Sequence, residues 1–186
     1  MGKVLEIIKA DLYRHKELQG FKGFLEGWFL PGFRYTLLFR LINSLKKRGL
    51  LWWILRLMRR RYRFRYGFEI HIDAKIGEGF YLSDHCGPVI IGPVTIGKNC
   101  NIAHCVTIGR SYKNGELGRP TLGDRVWIGT GSVLVGNIKI GSNVLISPNT
   151  FVNMDVPDNS LVIGSPAKIV ARENPTKFYI NKVLRD

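Results

Sequence analysis

The sequence predicts a parallel β-helix of hexapeptide turns preceded by a short α-helical segment, and three observations carry that expectation. An aliphatic residue recurs at every sixth position through Leu122, Ile128, Leu134, Ile140, Ile146 and Val152, with glycine following at 123, 129 and 141. An earlier run in the same frame holds Ile96, Ile102 and Ile108, with Gly97 and Gly109. Upstream of both, the spacing of apolar residues is helical instead. A six-residue period fits neither a helix of 3.6 residues per turn nor an alternating strand, and it is the signature of short strands stacked coil upon coil. The competing explanation is an ordinary β-rich domain with accidental spacing. Six consecutive matches count against it.

The N-terminal elements follow from local patterning. Residues 3–17 read as a helix with Val4, Ile7, Ile8 and Leu12 on one face. Residues 21–47 read as two further helices separated at Pro31-Gly32. The apolar stretch Leu50 to Met58 then runs into Arg59-Arg60-Arg61-Tyr62-Arg63-Phe64-Arg65-Tyr66. It is too short to span a bilayer. Two readings stay open for it, a core or subunit-contact helix, and an interfacial helix with Trp and Leu in lipid and the arginines on anionic headgroups.

The division expected is a basic helical segment over residues 1–67, a β-helix over 68–171 and a polar tail over 172–186. In each coil the aliphatic residue points into a narrow triangular prism, and three six-residue faces make one turn of eighteen. Glycine suits the position after it, where the chain bends. Asn99, Asn101, Asn143 and Asn149 suit the turns. The period breaks around Ser83–Pro93 and again over residues 110–121 (RSYKNGELGRPT), which must loop out of the prism. The tail is expected to cover the last coil and shield its open sheet edge.

Charge and cysteines narrow the function classes. The net charge is +14, and residues 1–67 carry sixteen Lys and Arg against four Asp and Glu, which is +12 of it. A basic segment implies an acidic partner such as an anionic membrane. Nothing resembles a base-reading motif, so nucleic acid is excluded. Cys86, Cys100 and Cys105 show neither paired nor zinc-type spacing and read as reduced thiols in a cytoplasmic protein. The N-terminus is a charged amphipathic stretch rather than a signal peptide, and Glu6 occupies the position where a myristoylation signal needs Ser or Thr.

Five motifs carry a resemblance. They are Glu69-Ile70-His71-Ile72-Asp73-Ala74-Lys75-Ile76-Gly77, Asp84-His85, Val106-Thr107-Ile108-Gly109, Gly123-Asp124-Arg125-Val126-Trp127-Ile128-Gly129-Thr130-Gly131, and Gly164-Ser165-Pro166-Ala167-Lys168. Over roughly residues 65–172 the chain resembles the hexapeptide-repeat acyltransferases, most of all the serine acetyltransferases and the short enzymes related to them. The resemblance implies a left-handed β-helix, a homotrimer that can pair into a dimer of trimers, and acetyl-CoA bound as co-substrate in the groove between subunits. It also implies that His85 is the general base, with Glu69 where the family has the aspartate that orients this histidine, and with Asp84 beside it. A base is needed because a hydroxyl is a poor nucleophile at neutral pH, and imidazole has a suitable pKa.

The remaining site residues follow from the same alignment. His104, where the family often has glutamine, is read as lining the groove, and as the base if His85 is not. Gly109, Gly129, Thr130, Gly131 and Ser147 offer corners and backbone to the pantetheine arm, and the alternative for the glycines is corner geometry alone. Lys168 is read on a CoA phosphate, assisted by Arg172, against the alternative of a solvated charge. Arg119 stands where the family has a histidine before the proline, and is read on an acidic acceptor or a CoA phosphate, against the alternative of an exposed loop charge. His71 is expected to be structural and His15 a surface residue. No metal site is expected, because three convergent histidines are lacking.

The family's aspartate-proline-alanine element has no clear match between Asp11 and Pro31, and Pro148 follows Ser147 where the family often has a Gly-Ala step. The activity expected is therefore O-acetyl transfer from acetyl-CoA to L-serine or to a sugar hydroxyl in surface-polysaccharide synthesis, with the departures favouring the sugar. The location expected is cytoplasmic, with peripheral contact at the inner face of the membrane. A non-catalytic β-helical binding protein is the rival.

Overall fold

The computed structural model describes residues 2–45, 49–113 and 116–184. Four helices come first, α1 (Gly2–Tyr13), α2 (Gly20–Trp28), α3 (Pro31–Ser44) and α4 (Leu50–Tyr66). Helix α1 stops four residues short of the expected 17, because Lys16 and Glu17 adopt left-handed backbone and turn the chain toward α2. Helix α3 starts with proline in its first turn, where the missing N–H costs nothing. Helix α4 ends at Gly67, whose φ of 77° is the left-handed cap that glycine takes without strain.

A left-handed parallel β-helix follows, with three faces. Face 1 stacks Phe68–Ile70, Val89–Ile91, Thr107–Gly109, Val133–Val135 and Phe151–Val152. Face 2 stacks Lys75–Ile76, Thr95–Ile96, Thr121–Leu122 and Lys139–Ile140. Face 3 stacks Tyr81–Leu82, Asn101–Ile102, Trp127–Ile128, Val144–Ile146 and Ser160–Ile163. Pairing follows the sequence period. Leu122 lies on Ile140, Ile128 on Ile146 and Leu134 on Val152, each pair eighteen residues apart. Ile76 pairs instead with Ile96, twenty residues on, and Ile96 with Leu122, twenty-six on. The two excesses locate the irregular corner after Leu82 and the excursion after Gly109. The excursion forms an antiparallel hairpin, Ser111–Lys113 with Glu116–Gly118.

The aliphatic ladder fills the prism as one continuous core from Tyr35 and Phe39 of α3 down to Val162. Each fully buried Ile, Leu or Val stabilises this core by roughly 1.5–3 kcal/mol relative to exposure. At the upper end a buried ion pair holds the helices onto the first coil. Arg40 Nε donates to Asp11 Oδ2 at 2.8 Å, and its terminal nitrogens donate to the carbonyls of Ile76 and Gly77 at 2.5 and 2.6 Å. Asp11 Oδ1 accepts the Phe80 N–H at 2.8 Å.

Two expectations are corrected. Asn99, Asn143 and Asn149 do occupy left-handed turns, but Asn101 lies in a strand. Its buried amide accepts Arg14 and donates to the Tyr179 carbonyl, so helix and tail have claimed it. The open edge of face 3 is covered by an antiparallel strand, Lys168–Ala171, paired on Ser160–Ile163. The tail beyond it runs back along face 3 instead. Tyr179 packs on Trp127 with ring centroids 4.7 Å apart, Arg125 donates to the Ile180 carbonyl at 3.2 Å, and Ile180 is buried. Polar tail composition concealed this because few residues, Pro175, Tyr179 and Ile180, supply the apolar contact.

Candidate active site

The corner between faces 3 and 1 stacks short non-strand segments of successive coils, and it brings most of the expected site residues into one column. Each segment hangs on the next by backbone hydrogen bonds. Ala103 N donates to Ile128 O at 3.0 Å, Gly129 N to Ile146 O at 2.8 Å and Ser147 N to Val162 O at 2.9 Å. Gly131 N donates to His104 O at 3.3 Å, and Asn149 N to Thr130 O at 2.8 Å. The column therefore reads His85, His104, Gly129-Thr130-Gly131 and Ser147 from the helical end downward. Gly129 needs its missing side chain here, because a Cβ would come within 2.5 Å of the Pro148 nitrogen.

At the head of the column the His85 ring is exposed and stands 5.7 Å, centroid to centroid, from the half-buried His104 ring. Ser83 Oγ lies 3.2 Å from His85 Nδ1 and also accepts the His85 backbone N–H at 3.2 Å. Ser83 itself is buried. The imidazole is thus anchored through Nδ1. Exposed Cys86 and Cys105 flank the two histidines, whereas burial pushes the Cys100 thiol inside the prism up to about 12.

The two carboxylates expected beside His85 are elsewhere. Asp84 lies in the bend after Leu82, and its carboxylate is engaged by the helical segment. Its Oδ2 lies 3.0 Å from His15 Nδ1, and its Oδ1 accepts the Gly32 N–H at 3.1 Å. A carboxylate at the first turn of α3 is favoured by the helix dipole. Glycine is required at 32, since a Cβ would fall against the Leu82 carbonyl carbon at 2.9 Å. Glu69 sits outward on the first strand of face 1 and pairs with Arg63 of α4 at 3.3 Å. His15, expected on the surface, is 2 % exposed, against Phe33 and Tyr81, because the residues after α1 pack onto the first coil. His71 is half exposed and accepts the Asp73 N–H at 3.2 Å.

The other expected residues divide between two places. Lys168 is exposed on the antiparallel strand, opposite Ile163, at the foot of the histidine column. Gly109 ends a face 1 strand opposite Val135, and Arg119 leaves the hairpin just before face 2 begins. Both therefore lie at the corner between faces 1 and 2, which is not the histidine corner of the same chain. Among the described residues no three His, Cys, Asp or Glu converge as a metal-ligand set.

Comparison with known proteins agrees with this architecture. A family model described as bacterial transferase hexapeptide (six repeats) matches residues 119–153. The serine acetyltransferase of Helicobacter pylori is 40 % identical over 144 residues, covering 77 % of this chain and 83 % of that one. The chain belongs to the serine acetyltransferase family. The crystal structure of Neisseria gonorrhoeae serine acetyltransferase in complex with serine matches with a TM-score of 0.74 at 31 % identity, over 91 % of this chain and 70 % of that one. A serine acetyltransferase in complex with cysteine has the same fold, with a TM-score of 0.79 at 23 % identity, over 99 % of this chain and 73 % of that one.

As a member of the serine acetyltransferases, the protein is an acyltransferase, and its chemistry is acetyl transfer of their type. Sequence reasoning passed over Ser83, which anchors the histidine, and His15, which takes up the acid beside it. Burial pulls the Arg14 guanidinium down to about 10, and Asn101 is its side-chain partner. Only the step of two in Ser83 and His85 was available as a signal for the first of these. Nothing in the sequence links position 15 to position 84.

Proposed function

We propose that the protein transfers an acetyl group from acetyl-CoA to a hydroxyl acceptor, with His85 as general base. The observation that carries this is the column itself. An exposed imidazole, fixed through Nδ1, stands at the head of a corner of small residues with a lysine at its foot. In the productive tautomer Nδ1–H donates to Ser83 Oγ, leaving the Nε2 lone pair for the acceptor proton. The acceptor oxygen attacks the thioester carbonyl as its proton passes to Nε2. The tetrahedral species then collapses with loss of the CoA thiolate, which recovers the proton. Ser83 takes the orienting role expected of Glu69. Thr130, Gly131 and Ser147 border the path of the pantetheine arm, and Lys168 with Arg172 meets the CoA phosphates.

The assembly is a homotrimer. Its support is the separation of Arg119 and Gly109 from His85 within one chain, since a neighbouring copy would bring its hairpin to the histidine corner. The acceptor carried over from the named relatives is L-serine. A second reading, a sugar hydroxyl in surface-polysaccharide synthesis at the cytoplasmic face of a membrane, is favoured by Asp84 and Glu69. Asp84 is held by His15 and Gly32 and Glu69 by Arg63, so neither carboxylate stands at His85 to hold an amino acid's ammonium group.

The test is thiol release from acetyl-CoA by wild type and His85→Ala, with L-serine and a sugar panel in parallel. His85→Ala is expected to lower kcat by roughly 10²–10⁴. Full activity in that variant would transfer the base role to His104, and release with serine or with sugars alone decides the acceptor.

A further inference from the structure

Helix α4 is segregated along its length. Its first nine residues, Leu50–Met58, contain one charge, Arg56, whereas its last eight contain five arginines, and the helix has no acidic residue. The buried side is narrow and holds Trp52 and Tyr66 against α3 and the first strand. The outward side leaves Leu50 78 %, Trp53 50 %, Leu57 62 % and Phe64 70 % exposed. With Leu51 and Ile54, one helix thus presents six exposed large apolar side chains among the described residues.

The arginines divide in the same way. Arg59 donates to the Ile70 carbonyl at 3.0 Å, Arg63 pairs with Glu69, and Arg56 stacks on Trp52 at 4.8 Å from the ring centroid. Arg60, Arg61 and Arg65 have no carboxylate partner among the described residues. On another side of α4 a groove of about 740 Å³ runs from Leu55 and Met58 to Phe21 and Phe24 of α2. Phe21 is fully open to solvent at the groove's rim.

We infer that the outward face of α4 docks the protein on an anionic lipid bilayer, its apolar side chains entering the acyl boundary and Arg60, Arg61 and Arg65 meeting the headgroup phosphates. Charge complementarity selects this occupant. Two copies meeting through the outward face of α4 would bring together the unpaired Arg60, Arg61 and Arg65 of each, with no acid on either helix to balance them. A bilayer supplies both an apolar phase for Leu, Trp and Phe and a layer of anions within reach of the guanidinium groups. The inference rests on the surface of the helical segment and is independent of the acceptor.

The experiment is co-sedimentation of the full chain with vesicles of phosphatidylcholine, pure or mixed with phosphatidylglycerol, at low and high salt. The wild type is expected to pellet with the anionic vesicles and to release as salt rises. Arg60→Glu/Arg61→Glu/Arg65→Glu is expected to lose about 100-fold in partitioning, since each basic residue near an anionic surface contributes roughly 5-fold. Leu57→Ser/Phe64→Ser is expected to weaken binding while keeping its salt dependence. Circular dichroism and sedimentation velocity on each variant show that fold and assembly persist. Wild type that stays in the supernatant with anionic vesicles at low salt overturns the inference. Dissociation of the oligomer by these substitutions, with no vesicle binding by wild type, gives the face to a second copy instead.

Discussion

At the residue scale, Ser83 and His85 make the sharpest claim. A serine hydroxyl can fix an imidazole but stabilises its charged form less than a carboxylate does. Ser83→Ala is therefore expected to lower kcat about 10-fold while leaving KM for acetyl-CoA unchanged, a smaller loss than removing the base itself. The cysteines give a second test at this scale. A thiol raised to about 12 by burial holds almost no thiolate at neutral pH, so Cys100 is unreactive, whereas Cys86 and Cys105 are open to solvent. Native protein is expected to release two thiols rapidly to Ellman's reagent and the third only on unfolding. Acetyl-CoA is expected to slow the native reaction, because both exposed thiols border the histidine corner.

Among the elements, α1 and α3 are joined to the first coil by charge rather than by apolar contact alone. Removing one partner of a buried ion pair leaves the other unpaired, and Arg40→Ala is expected to cost roughly 3–5 kcal/mol in urea unfolding. The pH dependence of that loss has a definite sign. Burial pushes the Asp11 carboxyl above the usual carboxylate range, with Arg40 opposing. Without Arg40 the rise is larger, and a carboxyl whose folded pKa is raised costs stability increasingly as pH climbs from its unfolded to its folded pKa, the cost vanishing below the unfolded value. The deficit of Arg40→Ala should thus shrink as pH falls and grow toward neutrality. The helices themselves were legible, since Pro31-Gly32 and the apolar spacing locate them within a few residues. The contact made by Asp84 was not. Its partners, His15 and Gly32, are sixty-nine and fifty-two residues away, and no local pattern encodes such a meeting.

For the whole molecule, the fold leaves His85 and Arg119 on separate corners. An assembly of three times 21.2 kDa is expected by sedimentation, and mixing His85→Ala with Arg119→Ala subunits is expected to restore part of the activity each lacks. Recovery follows if some mixed sites pair an intact His85 from one copy with an intact Arg119 from the next. The tail completes the fold on another face. Ile180→Ala is expected to cost about 2–4 kcal/mol and to red-shift the emission of Trp127, which Tyr179 would no longer cover. No helix among the described residues is long and apolar enough to cross a membrane, so the exposed face of α4 can meet lipid only from one side.

By itself the sequence determined the β-helix, its phase and its two interruptions. A stacked coil repeats the same environment every eighteen residues, and the same aliphatic and glycine requirements recur with it. His85, His104, Thr130 and Ser147 were named through the family resemblance and not through the period, which is broken over 83–93 and 110–121. Tertiary structure alone decided which acid stands beside which histidine, that Ser83 holds His85, and that the tail lies along face 3. Each of these is a single contact between distant segments, made once in the molecule, and a period cannot report an arrangement that never repeats.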